Sequence, residues 1–402
     1  MGKLNKIKST EVQTLKTFQQ EIPSNYYYKK PKKDFQNFLK NAEHMYKFEL
    51  KLSKEVFKNK KLIDFGAGTG ENTVYLANWG AECTLVEMNP IAHNISKKVF
   101  KTFASNKKKH KFINSSIFDY KPKEKFYDIV LCRGVLAHTA GKEKAFKKIA
   151  KLLKKNGFLI FGDPNKSGGF QNMLQRYSVY KFSKNTEDMV KVSEYLFKDD
   201  IDRSQKAVSR TRREIIFDRW VIQSQDDPSI AEVIRWMKQC NLKLYSSYPC
   251  LPNFFSADSF YHKKKMSIEN FSNILSLSEY FWMTHTKDDI YFLNDINAHS
   301  YKFSKSMNNL SKYLANCNAN TRVDFKKFKS LINNIKLNTK DYNPIKMQNL
   351  KSQIFFNETL KFIELVQNGD IYKVRNFLKK TNHLFKHAVG IRHADYVSYK
   401  IG

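Results

Sequence analysis

The stretch Leu62-Ile63-Asp64-Phe65-Gly66-Ala67-Gly68-Thr69-Gly70, running on through Glu71 to Leu85-Val86-Glu87-Met88-Asn89-Pro90, decides how this chain folds. Lys61 to Phe65 is a short apolar run stopped by glycines, Glu71 to Trp79 reads as a helix, and Glu82 to Val86 is a second β-prone run. The spacing predicts a β-α-β unit with its glycines at the first turn. There the backbone can approach a ligand closely, and the free N–H groups of a helix N-terminus point at it. An acid closing the second strand can accept ribose hydroxyls. A nucleoside carrying an anionic group fits.

A dinucleotide fingerprint wants glycine at its first, third and sixth positions; counted from Gly66 the sixth is Glu71, which argues against NAD. What remains is Asp-x-Gly-x-Gly-x-Gly. Asp64 at the strand end can attract an ammonium, while the neighbouring N–H groups favour a carboxylate. S-adenosylmethionine offers both, with a ribose at its other end.

Beyond this unit, Asn89-Pro90 opens a helix through Ile91, Ile95, Val99 and Phe103, whose spacing of four marks a core-facing stripe. His110 to Ile113, Asp128 to Cys132 and Gly157 to Gly162 read as third, fourth and fifth strands, with a helix carrying Phe146, Ile149 and Leu153 between the last two. The expected fold class is α/β: a doubly wound, Rossmann-like, mostly parallel sheet with a helical insertion after the fifth strand and a mainly helical C-terminal extension. Asp227-Pro228 reads as the cap and first position of a helix through Ile230, Val233, Ile234 and Met237, followed by a sixth strand at Leu242 to Tyr245. The domain boundaries that follow are a polar, loosely held arm over 1–34, a core domain over 35–262 with a lid-like insertion at 163–227, and a mainly helical region over 263–402.

Together these blocks resemble a class I S-adenosylmethionine-dependent methyltransferase, closest in style to the small-molecule subgroup called type 11, over roughly residues 35 to 163 and again 228 to 250. Phe126-Tyr127-Asp128-Ile129-Val130, Arg133-Gly134-Val135-Leu136-Ala137-His138 and Leu152-Leu153-Lys154-Lys155-Asn156-Gly157 carry it, in family order. The resemblance implies that Asp64, Gly66, Gly68 and Gly70 form the turn at the methionine end and that Glu87 takes the ribose hydroxyls. Where the family often has an acid for the adenine amino group, this chain offers Ser116, with Asp119 three residues on. Asp163-Pro164-Asn165 follows the fifth strand, not the fourth, so it is not the Asn/Asp-Pro-Pro-Tyr motif of base N-methylation.

The sulfonium already activates the methyl group, so catalysis needs mainly alignment, with a base if the acceptor is a hydroxyl or an acidic carbon. His138 and Asp163, just beyond the fourth and fifth strands, are the candidate bases, each competing with a plain turn role. Of 11 arginines in a Lys-rich chain, five are Arg203, Arg210, Arg212, Arg213 and Arg219, in the insertion. Arginine is favoured where a planar fork grips carboxylate or phosphate. Arg210, Arg212 and Arg213, with Gln171 and Arg176, are therefore expected at an anionic acceptor. Pairing with Asp199, Asp200, Asp202, Glu214, Asp218, Asp226 or Asp227 is the competing role.

The formal charge of +33 comes from lysines spread along the whole chain, which reads as a solvated surface more readily than as a nucleic-acid grip. Cys83, Cys132, Cys240, Cys250 and Cys317 form no Cys-x-x-Cys pair, and His383, His387 and His393 lack the acid of a zinc protease motif. No metal site is expected, no run reaches membrane-spanning length, and the composition suits a reduced, cytoplasmic chain. The function expected is methyl transfer from S-adenosylmethionine to an anionic small or medium-sized metabolite. The alternatives are an RNA-directed methyltransferase gripping through its basic C-terminal region, and a non-catalytic S-adenosylmethionine-binding module.

Overall fold

In the computed structural model, the glycine turn joins β1 (Lys61–Phe65) to α3 (Glu71–Asn78), and β2 (Glu82–Glu87) returns parallel to β1 with Asp64 beside Leu85. The structure describes residues 3–105, 109–122, 126–222, 225–249, 324–340, 344–386 and 393–401, with a few positions between 279 and 310.

One seven-stranded sheet organises the fold. With β3 (Lys111–Asn114), β4 (Tyr127–Arg133), β5 (Leu153–Pro164), β6 (Leu242–Tyr248) and β7 (His393–Lys400), its order is β3-β2-β1-β4-β5-β7-β6. All pairings from β3 to β5 are parallel, whereas β7 runs antiparallel to both β5 and β6. The strand order reverses between β1 and β4, the place where sheets of this kind bind ligands. The central strands are nearly continuous apolar runs because helices cover both faces. Ile63, Phe65, Val130, Leu159 and Phe161 face α5 (Lys142–Ala150) and α9 (Ile230–Gln239), while Leu62, Ile129, Leu131, Ile160 and Val397 face α3, α4 (Pro90–Phe103) and residues 35–57. Each such fully buried side chain contributes about 1.5–3 kcal/mol.

Caps fix the helix starts. Asn89 accepts the Ile91 N–H with Pro90 at the first helical position, as expected. α9 starts two residues later than its sequence suggests. Ser229 caps it in a reciprocal box with Glu232, which satisfies two helix-end N–H groups where Asp227 would satisfy one, and Asp227 is left free for other contacts.

Two segments differ from their sequence-based expectation. Lys3–Gln20 is an 18-residue helix, α1, not a loose arm. Ile7 and Thr14 on its inner side are buried, and Asn89 Nδ2 donates to the Phe18 carbonyl at 3.0 Å. The C-terminal region does hold the helices Phe325–Lys340, Pro344–Gln367 and Ile371–Lys380, but its last described segment is β7, which lies inside the sheet.

The chain divides into two compact units: Met1–Met283 with Leu365–Asn376 and Val389–Gly402, and Thr284–Glu364 with Phe377–Ala388. In the second, the Glu358 carboxylate accepts the backbone N–H groups of Asn382, His383 and Leu384 at 2.6–3.0 Å. His387 lies outside the described residues. No helix among the described residues is long and apolar enough to cross a membrane.

Candidate active site

The turn after β1 is held open by three left-handed glycines, Gly66, Gly68 and Gly70, with φ of 69°, 55° and 75°. At Gly66 a Cβ would lie 2.3 Å from Val135 Cγ2, so the turn packs directly on the loop after β4. At Gly68 a Cβ would meet nothing within 4 Å. That empty space is a cradle that a ligand can approach closely. Gly68→Asn tests it. Asparagine tolerates the left-handed conformation, so stability should change by no more than about 1 kcal/mol. S-adenosylhomocysteine affinity, measured by calorimetry, should fall at least about tenfold, equivalent to 1.4 kcal/mol, because the side chain occupies the cradle.

Two acids flank the turn. Asp64 is buried at the end of β1 and accepts a hydrogen bond from Thr73. Burial pushes its carboxyl up to about 7, against the Thr73 bond and the Arg133 charge, which lower it, while Glu87 raises it further. An acid held this way gains most from an incoming ammonium. Glu87 closes β2 and accepts the N–H groups of Gly68 at 2.8 Å and Asn89 at 2.7 Å. Burial raises its pKa against these bonds, and each carboxylate oxygen keeps a lone pair for a ribose hydroxyl. The cradle, the buried acid at one end and the second acid at the other fit S-adenosylmethionine.

Both expected bases meet at the loop after β4, His138 as part of it and Asp163 as a partner of its backbone. Asp163 is buried at the end of β5, and its Oδ2 accepts the Ala137 N–H at 3.2 Å while Oδ1 has no partner among the described residues. Burial first, then the nearby Asp227, pushes its carboxyl well above the ordinary range, opposed by the Ala137, Val135 and Leu136 N–H groups. Its geometry is that of an anchor for residues 135–137. His138 packs edge-on against Phe18 of α1, ring centroids 5.4 Å apart, and its carbonyl accepts the Thr14 hydroxyl at 3.2 Å. Ser116 donates to Asp119 at 3.2 Å and accepts the Asp119 N–H at 3.1 Å, so its hydroxyl belongs to a local turn, with lone-pair capacity left for a ligand. Lys8 of α1 also bonds Asp119.

Residues 24–27 pack against the end of the glycine turn and the start of α3. Ser24 donates to Glu71 at 2.9 Å and lies 3.0 Å from the Thr69 hydroxyl, while the Asn25 and Tyr27 N–H groups reach the Glu71 carboxylate at 2.8 and 2.9 Å. The insertion consists of α6 (Phe170–Phe182), α7 (Thr186–Ala207), α8 (Arg212–Ile216) and one further turn at Phe217–Val221. Its arginines bind carboxylates. Arg203 and Arg219 share Asp200, Arg210 holds Asp218, Arg212 holds Glu194 and Asp202, and Arg213 holds Glu21 and Glu187. Arg210 also donates to Asn25 Oδ1 at 2.9 Å, so the insertion is tied to the arm. Gln171 is buried and donates to the Met283 carbonyl at 3.1 Å; Arg176 is buried and bonds Tyr180 Oη at 2.9 Å and the Ile222 carbonyl.

A charge cluster with no sequence motif of its own centres on the buried Asp395. Arg133 ends β4, and Asp395 on β7 lies opposite Gly162 of β5. The guanidinium reaches across β5 and grips Asp395 with two bonds, Nε to Oδ1 at 2.7 Å and Nη2 to Oδ2 at 3.0 Å. Only glycine allows this, since a Cβ at Gly162 would sit 2.0 Å from Asp395 Oδ1. Burial alone would raise the Asp395 pKa, but Arg133 and then His393 hold it well below the usual carboxylate range. His393 Nδ1 lies 3.6 Å from Asp395 Oδ2.

A family model described as a methyltransferase domain matches residues 38–190. No curated protein matches the chain. Among solved structures, the chain is similar to magnesium protoporphyrin IX methyltransferase from Synechocystis PCC 6803 with bound SAM, at 10% identity and TM-score 0.33 over 53% of this chain and 72% of that one. It is similar to the plantazolicin methyltransferase BpumL in complex with SAH at 16% identity and TM-score 0.34, over 64% and 87% of the two chains. It is also similar to PKMT2 from Rickettsia typhi, at 14% identity and TM-score 0.38 over 48% of this chain and 40% of that one.

Proposed function

We propose that the chain is a class I S-adenosylmethionine-dependent methyltransferase that methylates a small or medium-sized acceptor held over the carboxyl ends of β4 and β5. The single observation that carries the donor side is the open cradle at Gly68 between two buried acids, Asp64 and Glu87. S-adenosylmethionine supplies an electrophilic methyl group when bound. The chain's part is to orient it: Asp64 for the ammonium, the glycine turn for the carboxylate, and Glu87 for the ribose hydroxyls. Alignment of this kind supplies roughly 7–11 kcal/mol. Residues 24–27, bonded to Thr69 and Glu71, and the insertion tied to them through Arg210 would shield the turn from water and so strengthen the charge interactions there.

A small acceptor is supported by this cover, which bonds Glu71 beside the glycine turn and is tied to the insertion through Asn25 and Glu21. An anionic acceptor draws less support from the insertion than its composition promised, because the arginine forks are matched by carboxylates that an anion would have to displace. The test is transfer of labelled methyl from S-adenosylmethionine to separated small-molecule and RNA fractions of a cell extract. Label is expected in small molecules, resolved by ion exchange into its charge classes. Label confined to RNA would overturn the acceptor class. Tight S-adenosylhomocysteine binding without transfer to any fraction would make the chain a binding module.

A further inference from the structure

We propose that His393 is the general base that takes the acceptor's proton, with Asp395 as the residue that positions its ring. This rests on the methyl-transfer reading above. Because β7 runs antiparallel to its neighbours, its first residue lies at the carboxyl end of the parallel strands, and His393 pairs with Pro164 at the end of β5. That is the end at which this class of sheet binds ligands. The ring occupies the space left by Gly162, its Cε1 3.2 Å from where a Cβ would stand. Its side chain is 35% exposed, in contrast to 4% for Asp395, so the imidazole is accessible while its orienting carboxylate is not. Asp64, Arg133 and Asp395 share one face of the sheet on β1, β4 and β7, and His393, two residues before Asp395, lies on that same face.

The carboxylate facing Nδ1 favours the proton there and leaves Nε2 bare. None of the described residues bonds Nε2. In the transfer step the acceptor O–H or N–H gives its proton to Nε2 of His393, and the lone pair so released forms the bond to the methyl carbon. The carbon–sulfur bond breaks with both electrons going to sulfur, leaving a neutral thioether, a methylated acceptor and an imidazolium. The imidazolium then faces Asp395. Among the described residues, the other charged or titratable groups over this face include Asp64 from β1, Arg133 from β4, Tyr46 and Tyr75 from the covering helices, and Tyr248, which pairs with Asp395 from β6.

The test compares the full-length wild type with His393→Gln, using methyl-labelled S-adenosylmethionine and the small-molecule fraction of a cell extract as acceptor. The transfer rate should fall about 10²–10³-fold, within the range for a lost general base. S-adenosylhomocysteine affinity should stay within about twofold (about 0.4 kcal/mol at RT of 0.59 kcal/mol), and the acid limb of the rate–pH profile should disappear. Asp395→Asn should shift that limb, with a change in kcat larger than in KM, provided its melting curve stays cooperative. Since His393 is partly exposed, the glutamine variant should fold regardless. Wild-type rate and an unchanged acid limb in His393→Gln overturn the assignment alone. No transfer by the wild type overturns it together with the reading beneath it.

Discussion

Asp395→Ala is expected to cost about 1–3 kcal/mol of folding stability, measured by urea denaturation, because it takes the buried carboxylate away from the half-buried Arg133 guanidinium. Replacing both partners, Arg133→Met with Asp395→Leu, should recover much of that loss, since removing a buried pair altogether also removes its desolvation penalty. The wild-type profile has a definite pH signature. Asp395 has a folded pKa depressed below its unfolded value, so its stabilisation is fully present above the unfolded value of about 3.9 and drains away as pH falls below it. A variant whose stability is unchanged would show that Arg133 finds another partner.

Asp64→Asn is expected to weaken S-adenosylhomocysteine binding by roughly 10- to 100-fold at pH 8, the effect of losing a hydrogen bond to a charged group. The wild type should bind more tightly as pH rises, by up to about tenfold per unit, levelling off near 7 where Asp64 ionises; the variant's profile should be flat there. Folding stability responds in the opposite sense. A carboxyl whose folded pKa is raised holds its proton more tightly in the native state, so stability declines between the unfolded value near 4 and about 7, and Asp64→Asn removes that decline. Equal affinity in wild type and variant would remove Asp64 from the cofactor site.

The local parts of the fold were written where a local reading could find them. The glycine turn, the parallel strands and the Asn89 cap depend on neighbours a few residues apart, and the apolar runs of β1 and β4 declare a sheet covered on both faces. Long-range pairs have no such signature. The β7 segment His-Ala-Asp-Tyr-Val-Ser-Tyr-Lys carries a buried aspartate and a buried serine in a short run, so its alternation looks weak until Arg133 and β5 are placed beside it. Gly162 looked like a strand-ending glycine; its reason is the carboxylate lying over it. α1 was hidden by a polar composition in which Ile7 and Thr14 carry the burial. The insertion's arginines were visible as an anomaly of composition, but composition could not choose between a bound anion and the carboxylates Glu194, Asp202 and Glu187.

The place of β7 also sets an order of assembly. Its pairing with β5 joins residues 239 apart in the chain, as in the Ser398 hydroxyl bonding the Leu159 carbonyl, and among the described residues β6 pairs only with β7. During synthesis, β5 therefore presents an open edge and β6 waits unattached until residues 393–400 leave the ribosome. Contacts of such separation are slow to close, and an unpaired edge is the surface through which sheets join one another. A chain interrupted just before His393 would keep the whole donor cradle, yet carry an open flank that invites self-association.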